Sequence, residues 1–120
     1  TATTSSTPVF QKDHVKNGVH INGIGSYKPT MQEIPCELIQ HARLIVDQRA
    51  ASEAEAGDIV IPIRQGLITK DHIHAELGEI ISGSKKGRTS DDQITVFKSV
   101  GNAIQDLALA HCMLGKELRS

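Results

Sequence analysis

Val19-His20-Ile21-Asn22-Gly23-Ile24-Gly25 is a β-prone run that stops at two glycines. Apolar and β-branched residues at this spacing describe a buried strand, and the glycines describe a tight turn at its carboxyl end. The segment that follows changes period. Ile34, Leu38, Ile39 and Ala42 fall at helical spacing, and Pro35 suits a first turn because its missing N–H would be unbonded there anyway. A short helix over about residues 35–42 is expected. Leu44-Ile45-Val46 is then a continuous apolar triplet, the pattern of a strand covered on both faces.

The alternation continues outward from this unit. Ala50 to Ala56, rich in Ala and Glu, reads as a helix, with Gly57 placed to end it in the left-handed conformation. Asp58-Ile59-Val60-Ile61-Pro62 reads as a second extended piece, kept from being a long strand by its proline. Thr69 or Asp71 can cap a helix whose apolar positions Ile73, Leu77, Ile80 and Ile81 follow the i, i+4, i+7, i+8 rule, with Gly83 beyond its end. Ser84 to Asp92 is polar and aperiodic, a loop, and Ile94-Thr95-Val96-Phe97 has the content of a strand. From Gly101 to about Leu118, Ile104, Leu107, Ala108, His111 and Leu114 mark a final helix. Strands alternating with short helices imply an α/β sheet, mostly parallel and flanked by helices.

Composition narrows the functional classes. A chain of 120 residues has room for one core. Its formal net charge of −1 offers no global field for a polyanion. With Phe10, Tyr27 and Phe97 as its aromatics, it also lacks a stacking platform, so nucleic acid is not an expected partner. Cys36 and Cys112 lie far apart and match no disulfide or zinc pattern, and no apolar run is long enough for a membrane span. A cytoplasmic, reducing location is the simplest assignment. The Thr/Ser-rich start without Met hints at a cut inside a longer protein.

Local motifs are weak one by one. Gly23-Ile24-Gly25-Ser26-Tyr27-Lys28 begins like a dinucleotide fingerprint, but the third glycine is absent and Asp47 would have to serve as the distant acid. A turn at a strand's carboxyl end, with amides facing a ligand, is the better reading. Gly83-Ser84-Lys85-Lys86-Gly87-Arg88-Thr89 has neither the residue order nor the preceding strand of a phosphate loop and reads as a solvated basic loop. His72, His74 and Glu76 would diverge on a helix, so no metal site is expected. No nucleophile elbow is present.

Taken in order, TATTSSTPVF (Thr1 to Phe10), VHINGIGSYKP (Val19 to Pro29), HAELGEIISG (His74 to Gly83) and TVFKSVGNAIQDLA (Thr95 to Ala108) resemble the ornithine cyclodeaminase/mu-crystallin family over essentially the whole chain. The resemblance implies the C-terminal half of a Rossmann-type NAD(P)-binding domain occupying residues 1–120. The strand and C-terminal helix from about residue 94 would pack back toward an N-terminal dimerisation and substrate domain, and the full-length protein would be a homodimer. It implies NAD or NADP as cofactor and a small amino-acid or imino-acid substrate. Thr1, Ala2, Thr3, Thr4, Ile24, Gly25, Ser26, Lys98, Ser99 and Gly101 would contact the cofactor, with Ser26 and Tyr27 orienting the substrate or the nicotinamide amide. The loops at Thr3 and Ser26 should then form one wall of a cleft.

Two departures from the family pattern bear on chemistry. Ornithine cyclodeaminases carry an Asp in a GGDCPGKTE-like stretch where this chain reads GSYKPTMQE, so Tyr27 stands in the place of the catalytic carboxylate. A phenol is a poor general base at neutral pH, though it can donate a hydrogen bond. The resemblance therefore favours reduction of cyclic imino acids over cyclodeamination, with ornithine cyclodeaminase and a non-enzymatic ligand-binding crystallin as alternatives. The family's Gly-rich pyrophosphate turn and its substrate-binding Lys and Arg would lie upstream of Thr1. The segment alone is thus expected to be inactive, to bind cofactor weakly, and to leave a sheet edge and an apolar face uncovered.

Overall fold

The computed structural model describes residues 1–117. Among them, strands β1 (His20–Gly23), β2 (Arg43–Val46), β3 (Ile73–Glu76) and β4 (Thr95–Lys98) form one sheet in the order β1-β4-β2-β3. Every neighbouring pair is parallel. The last strand in sequence thus fills the gap between the first two. Register aligns Ile21 with Val96 and Val96 with Leu44, then Gly23 with Lys98 and Lys98 with Val46. Parallel pairing brings all the strand carboxyl ends to one edge of the sheet, which is where α/β sheets present ligand-binding loops.

Helices α1 (Cys36–His41), α2 (Arg49–Glu55), α3 (Gly57–Arg64), α4 (Leu77–Ile81) and α5 (Ala103–Glu117) complete the described chain, with 3-10 turns at Lys12–His14 and Lys70–His72. One face of the sheet is closed. Ile21, Leu44, Val46 and Val96 pack with Leu38 and Ile39 of α1 and Ile59 of α3 into a single apolar cluster. The other face is open over β1 and β4. There His20, Asn22, Ile45 and Phe97 line a groove of about 410 Å³ with Leu77 and Ile80 of α4. Helix α5 leaves Ile104, Leu107, Leu109, Met113 and Leu114 exposed. The uncovered apolar surface expected from the sequence is therefore present.

Helix α1 begins just after Pro35, whose carbonyl accepts the first helical bonds from Leu38 and Ile39. Two other expectations fail. Asp58 to Pro62 is not extended but forms the body of α3, and Gly57 opens that helix instead of closing α2 by a left-handed turn. The β-branched content of the run is outweighed by tertiary contact, because a helix here buries Asp58, Ile59, Val60 and Pro62 together. Pro62 lacks the N–H that would close onto Asp58, a cost the burial offsets. Gly57 is required for another reason: a Cβ there would overlap the carbonyl oxygens of Met31 and Lys28. The left-handed glycine is Gly66, just past the end of α3, at φ 71°.

The helix expected from residue 69 or 71 to Gly83 is likewise divided. Ile73 to Glu76 is a strand, and only Leu77–Ile81 is helical. Ile73 matched the helical template through its distance to Leu77, but it belongs to a period-two segment in which Ile73 and Ala75 point inward and pair with β2. A short apolar run satisfies both periods, and the sheet decided between them. Gly83 lies beyond the end of α4, as expected, and is in the left-handed region. The final helix starts at Ala103, later than Gly101, and its expected end at Leu118 lies outside the described residues.

Gly57 and Gly78 provide a matched test of this packing. Both sit in helices, so propensity favours alanine at each by up to about 1 kcal/mol. Nothing lies within 4 Å of a Cβ at Gly78, whereas backbone blocks one at Gly57. Urea denaturation should show Gly78→Ala neutral or slightly stabilising and Gly57→Ala destabilising by about 1–3 kcal/mol.

Candidate functional site

Thr1 lies against the free edge of β1. Its amine donates to Asn22 O at 2.7 Å, and its carbonyl accepts from Ile24 N at 3.0 Å, the bond pair of a parallel bridge opposite Gly23. The Thr1–Thr4 segment is thereby carried past the end of β1 and meets the Ile24–Tyr27 turn. Their closeness dictates the glycine at 25, because a Cβ there would overlap the backbone of Thr3 and the Glu33 carboxylate. Neither Gly23 nor Gly25 has positive φ. These glycines serve close approach of neighbouring chain and side chains. The loops at Thr3 and Ser26 lie side by side, as the one-wall reading requires.

The ligand-contact residues expected from the sequence separate into two layers. Thr1, Ala2, Thr3, Thr4, Ile24, Tyr27 and Gly101 are exposed at the carboxyl edge, whereas Gly25, Ser26, Lys98 and Ser99 are buried beneath them. The Tyr27 ring also has the Lys28 ammonium 5.6 Å from its centroid. The Ser26 hydroxyl donates to Asp58 Oδ2 at 2.8 Å and accepts from Asp58 N at 3.1 Å, so it is occupied inward. The Ser99 hydroxyl donates to Asp47 Oδ2 at 2.7 Å and accepts from Gly101 N at 3.1 Å. Asp47 also accepts from Val100 N at 3.2 Å. The residue that a fingerprint reading would set on a ribose instead ties β2 to the segment after β4.

Two carboxylates that the sequence reading did not single out organise this layer. Glu33 accepts from Thr3 N through Oε1, and from Gly25 N at 2.8 Å and Thr1 Oγ1 at 3.0 Å through Oε2. Burial alone would raise its pKa, but these donors outweigh burial and hold it below the usual carboxylate value. Asp58 accepts from Glu33 N at 2.7 Å, Ile34 N at 2.9 Å and the Ser26 hydroxyl. Burial still pushes its carboxyl above the ordinary range. Lys98 is fully buried, with Nζ donating to Gly23 O and Ser99 O, each at 2.9 Å, and lying 3.9 Å from Asp58 Oδ2. Burial lowers its pKa against the pull of Asp58, Glu33 and Asp47. Lys98 thus joins the ends of β1 and β4 from below.

His74 and Glu76 lie on β3 instead of a helix and, two positions apart, share one of its faces, while His72 ends the 3-10 turn before it. Each has its own structural partner: His72 Nε2 meets Ile39 O, His74 Nε2 meets Lys86 O, and Glu76 Oε1 accepts from Arg49 N. Among the described residues, no three metal-capable side chains gather. Arg88, in the basic loop, is spent on the carbonyls of Gly18 and Gln93 and on the Thr95 hydroxyl. Among the described residues, no helix is long and apolar enough to cross a membrane.

The profile of the ornithine cyclodeaminase/mu-crystallin family matches residues 1–118. The chain belongs to this family. A Δ(1)-pyrroline-2-carboxylate reductase of Bacillus cereus is 49% identical over 117 residues, covering 97% of this chain and 36% of that protein. The structure of Thermococcus litoralis Δ(1)-pyrroline-2-carboxylate reductase in complex with NADH and L-proline superposes with a TM-score of 0.88 at 42% identity. That match covers 98% of this chain and 36% of the other. An archaeal alanine dehydrogenase dimer with bound NAD gives a TM-score of 0.84 at 40% identity, over 92% and 34% of the two chains. The chain therefore spans about a third of the length of these family members.

The buried pair gives a test of this geometry. Lys98→Met should cost about 3–5 kcal/mol in urea denaturation, because it strands the Asp58 carboxylate in the interior. Adding Asp58→Asn should recover at least about 1 kcal/mol, since an amide oxygen can still accept from Glu33 N and Ile34 N while its NH₂ donates to Ser26. Glu33 should also shape the acid limb. Its lowered folded pKa contributes stability that is present above its unfolded value and lost as pH falls through the folded one. Denaturation across the acid range should therefore show a flatter loss of stability in Glu33→Gln than in the parent.

Proposed function

We propose that this chain is the second half of the NAD(P)-binding domain of a reductase that moves hydride from nicotinamide to the C=N carbon of a small cyclic 2-imino acid, of the pyrroline-2-carboxylate class. The observation that carries this reading is the likeness of the whole described fold, carboxyl-edge loops included, to a reductase held with NADH and L-proline. Tyr27 at the position of the cyclodeaminase carboxylate supports reduction over ammonia loss, because the site then lacks that proton-transfer base.

The residues present fit the nicotinamide side of such a site. Thr1 to Thr4 and Ile24 expose backbone and small side chains at the carboxyl edge, and Gly25 removes the side chain that would hold the two loops apart. When bound, the cofactor supplies the hydride. Thr1, Ala2, Thr3, Thr4, Ile24 and Gly101 would line it, while Gly25, Ser26, Lys98 and Ser99 would support that lining from beneath. The Tyr27 hydroxyl donates a hydrogen bond to the substrate and fixes its orientation. The exposed apolar side of α5 packs on the remainder of a homodimeric enzyme. A cytoplasmic location belongs to the same proposal. The alanine dehydrogenase likeness favours a second substrate class, open-chain 2-imino acids formed from a keto acid and ammonia.

The complete reductase should consume NADH or NADPH when given pyrroline-2-carboxylate, and pyruvate with ammonia separates the second reading from the first. Tyr27→Phe should lower kcat/KM for the imine by up to about tenfold, the worth of one neutral hydrogen bond, with cofactor affinity unchanged. Properly folded enzyme that leaves every cyclic imine untouched removes the proposal.

A further inference from the structure

Glu33 bridges two separate segments, one thirty residues before it and one eight. Oε1 accepts from Thr3 N, and Oε2 accepts from Gly25 N and from the Thr1 hydroxyl. The carboxylate itself is fully buried, and its own backbone N–H is held at 2.7 Å by Asp58. Each oxygen thus faces a backbone donor that cannot rotate away. An ionised carboxylate is acceptor-only at both oxygens and satisfies both amides, whereas a carboxamide has one acceptor and one donor end. Glutamine at this position would set an NH₂ group against either Thr3 N–H or Gly25 N–H, whichever way it is flipped. Asp58 is under no such restriction, because its Oδ2 faces a hydroxyl that can reverse its role. The two sites have equal numbers of fixed amide donors and differ in their distribution: one on each oxygen of Glu33, both on Oδ1 of Asp58.

From this geometry we infer that Glu33 is a positioning residue for nucleotide binding: its carboxylate clamps the Thr1–Thr4 and Ile24–Tyr27 loops into one wall, without touching the ligand. The inference rests on the proposed function for the identity of the ligand and adds a residue that the resemblance did not bring into the site. The clamp stands behind the wall, since Glu33 is enclosed while Thr3, Thr4, Ile24 and Tyr27 face outward. Its effect is to set the spacing of the two loops, which Gly25 allows to be small.

The test compares the complete reductase with its Glu33→Gln and Glu33→Asp variants, by NADH fluorescence titration, melting temperature and hydrogen exchange at the Thr3 and Gly25 amides. Glu33→Gln should weaken NADH binding at least tenfold and bring the Thr3 or Gly25 amide into fast exchange. Glu33→Asp keeps both acceptors but shortens the reach by one methylene, and should weaken binding by more than threefold. It carries the test if the Gln variant does not fold. Glu37→Gln, on the exposed side of α1, should match the parent in all three measurements. A folded Gln or Asp variant that binds NADH within threefold of the parent overturns the inference. Parent enzyme that binds no NADH defeats the functional reading separately. The clamp is then decided by exchange: protected Thr3 and Gly25 amides that are released in the variants support it, and fast exchange in the parent sinks it.

Discussion

A carboxylate taken out of water must be met by donors or it will not stay charged, and Asp58 is where this fold meets that demand. Its oxygens take the Glu33 and Ile34 amides and the Ser26 hydroxyl, and the Lys98 ammonium stands nearby. These partners come from the segment entering α1, the turn after β1 and the end of β4, while Asp58 itself is in the first turn of α3. One side chain therefore joins the helical layer to the carboxyl edge of the sheet. The helix at 57–64, the bare Gly57 against Met31 and the inward Ser26 all follow from holding it there.

The site is built in two tiers for a related reason. Groups that are to meet a ligand must be exposed, and exposed loops wander unless something behind them is fixed. Here the outer tier is threonines, Ile24 and Tyr27, and the inner tier is Glu33, Asp58, Lys98 and Asp47; Glu33, Lys98 and Asp47 bond backbone of the outer segments or of the strand ends, and Asp58 bonds the Ser26 hydroxyl and the Glu33 amide. Charged residues in the inner tier hold the backbone at the carboxyl edge, so a lysine that sequence resemblance sets against cofactor is found bonding Gly23 and Ser99 carbonyls. Second-tier contacts of this kind decide whether a binding constellation is rigid enough to work.

Much of the fold was legible in the residue pattern. The Val19 to Gly25 run, the Leu44 to Val46 triplet and the Ile94 to Phe97 segment each fall on or within two residues of an observed strand, and the helices at 36–41, 49–55 and 103–117 were anticipated within similar margins. The resemblance also set the loops at Thr3 and Ser26 side by side, and one carboxylate accepts from both segments. Glu33 and Asp58 escaped notice because neither belongs to a motif. Each is a single acid beside apolar residues, and the signal that could have exposed them is that a charge next to Ile34 or Ile59 is placed to be buried and so must be paired.

What residue order determined by itself was the alternation of strand and helix, the glycine-closed turn after β1 and the apolar faces to be covered, because these follow from local periodicity and from the steric freedom of glycine. Tertiary structure decided the state of Asp58 to Pro62 and of Ile73 to Glu76, where local preference was divided and the neighbouring sheet and helices supplied the larger energy. It alone decided which charged residues turn inward. That choice depends on donors brought from distant parts of the chain, and no spacing along the sequence records it.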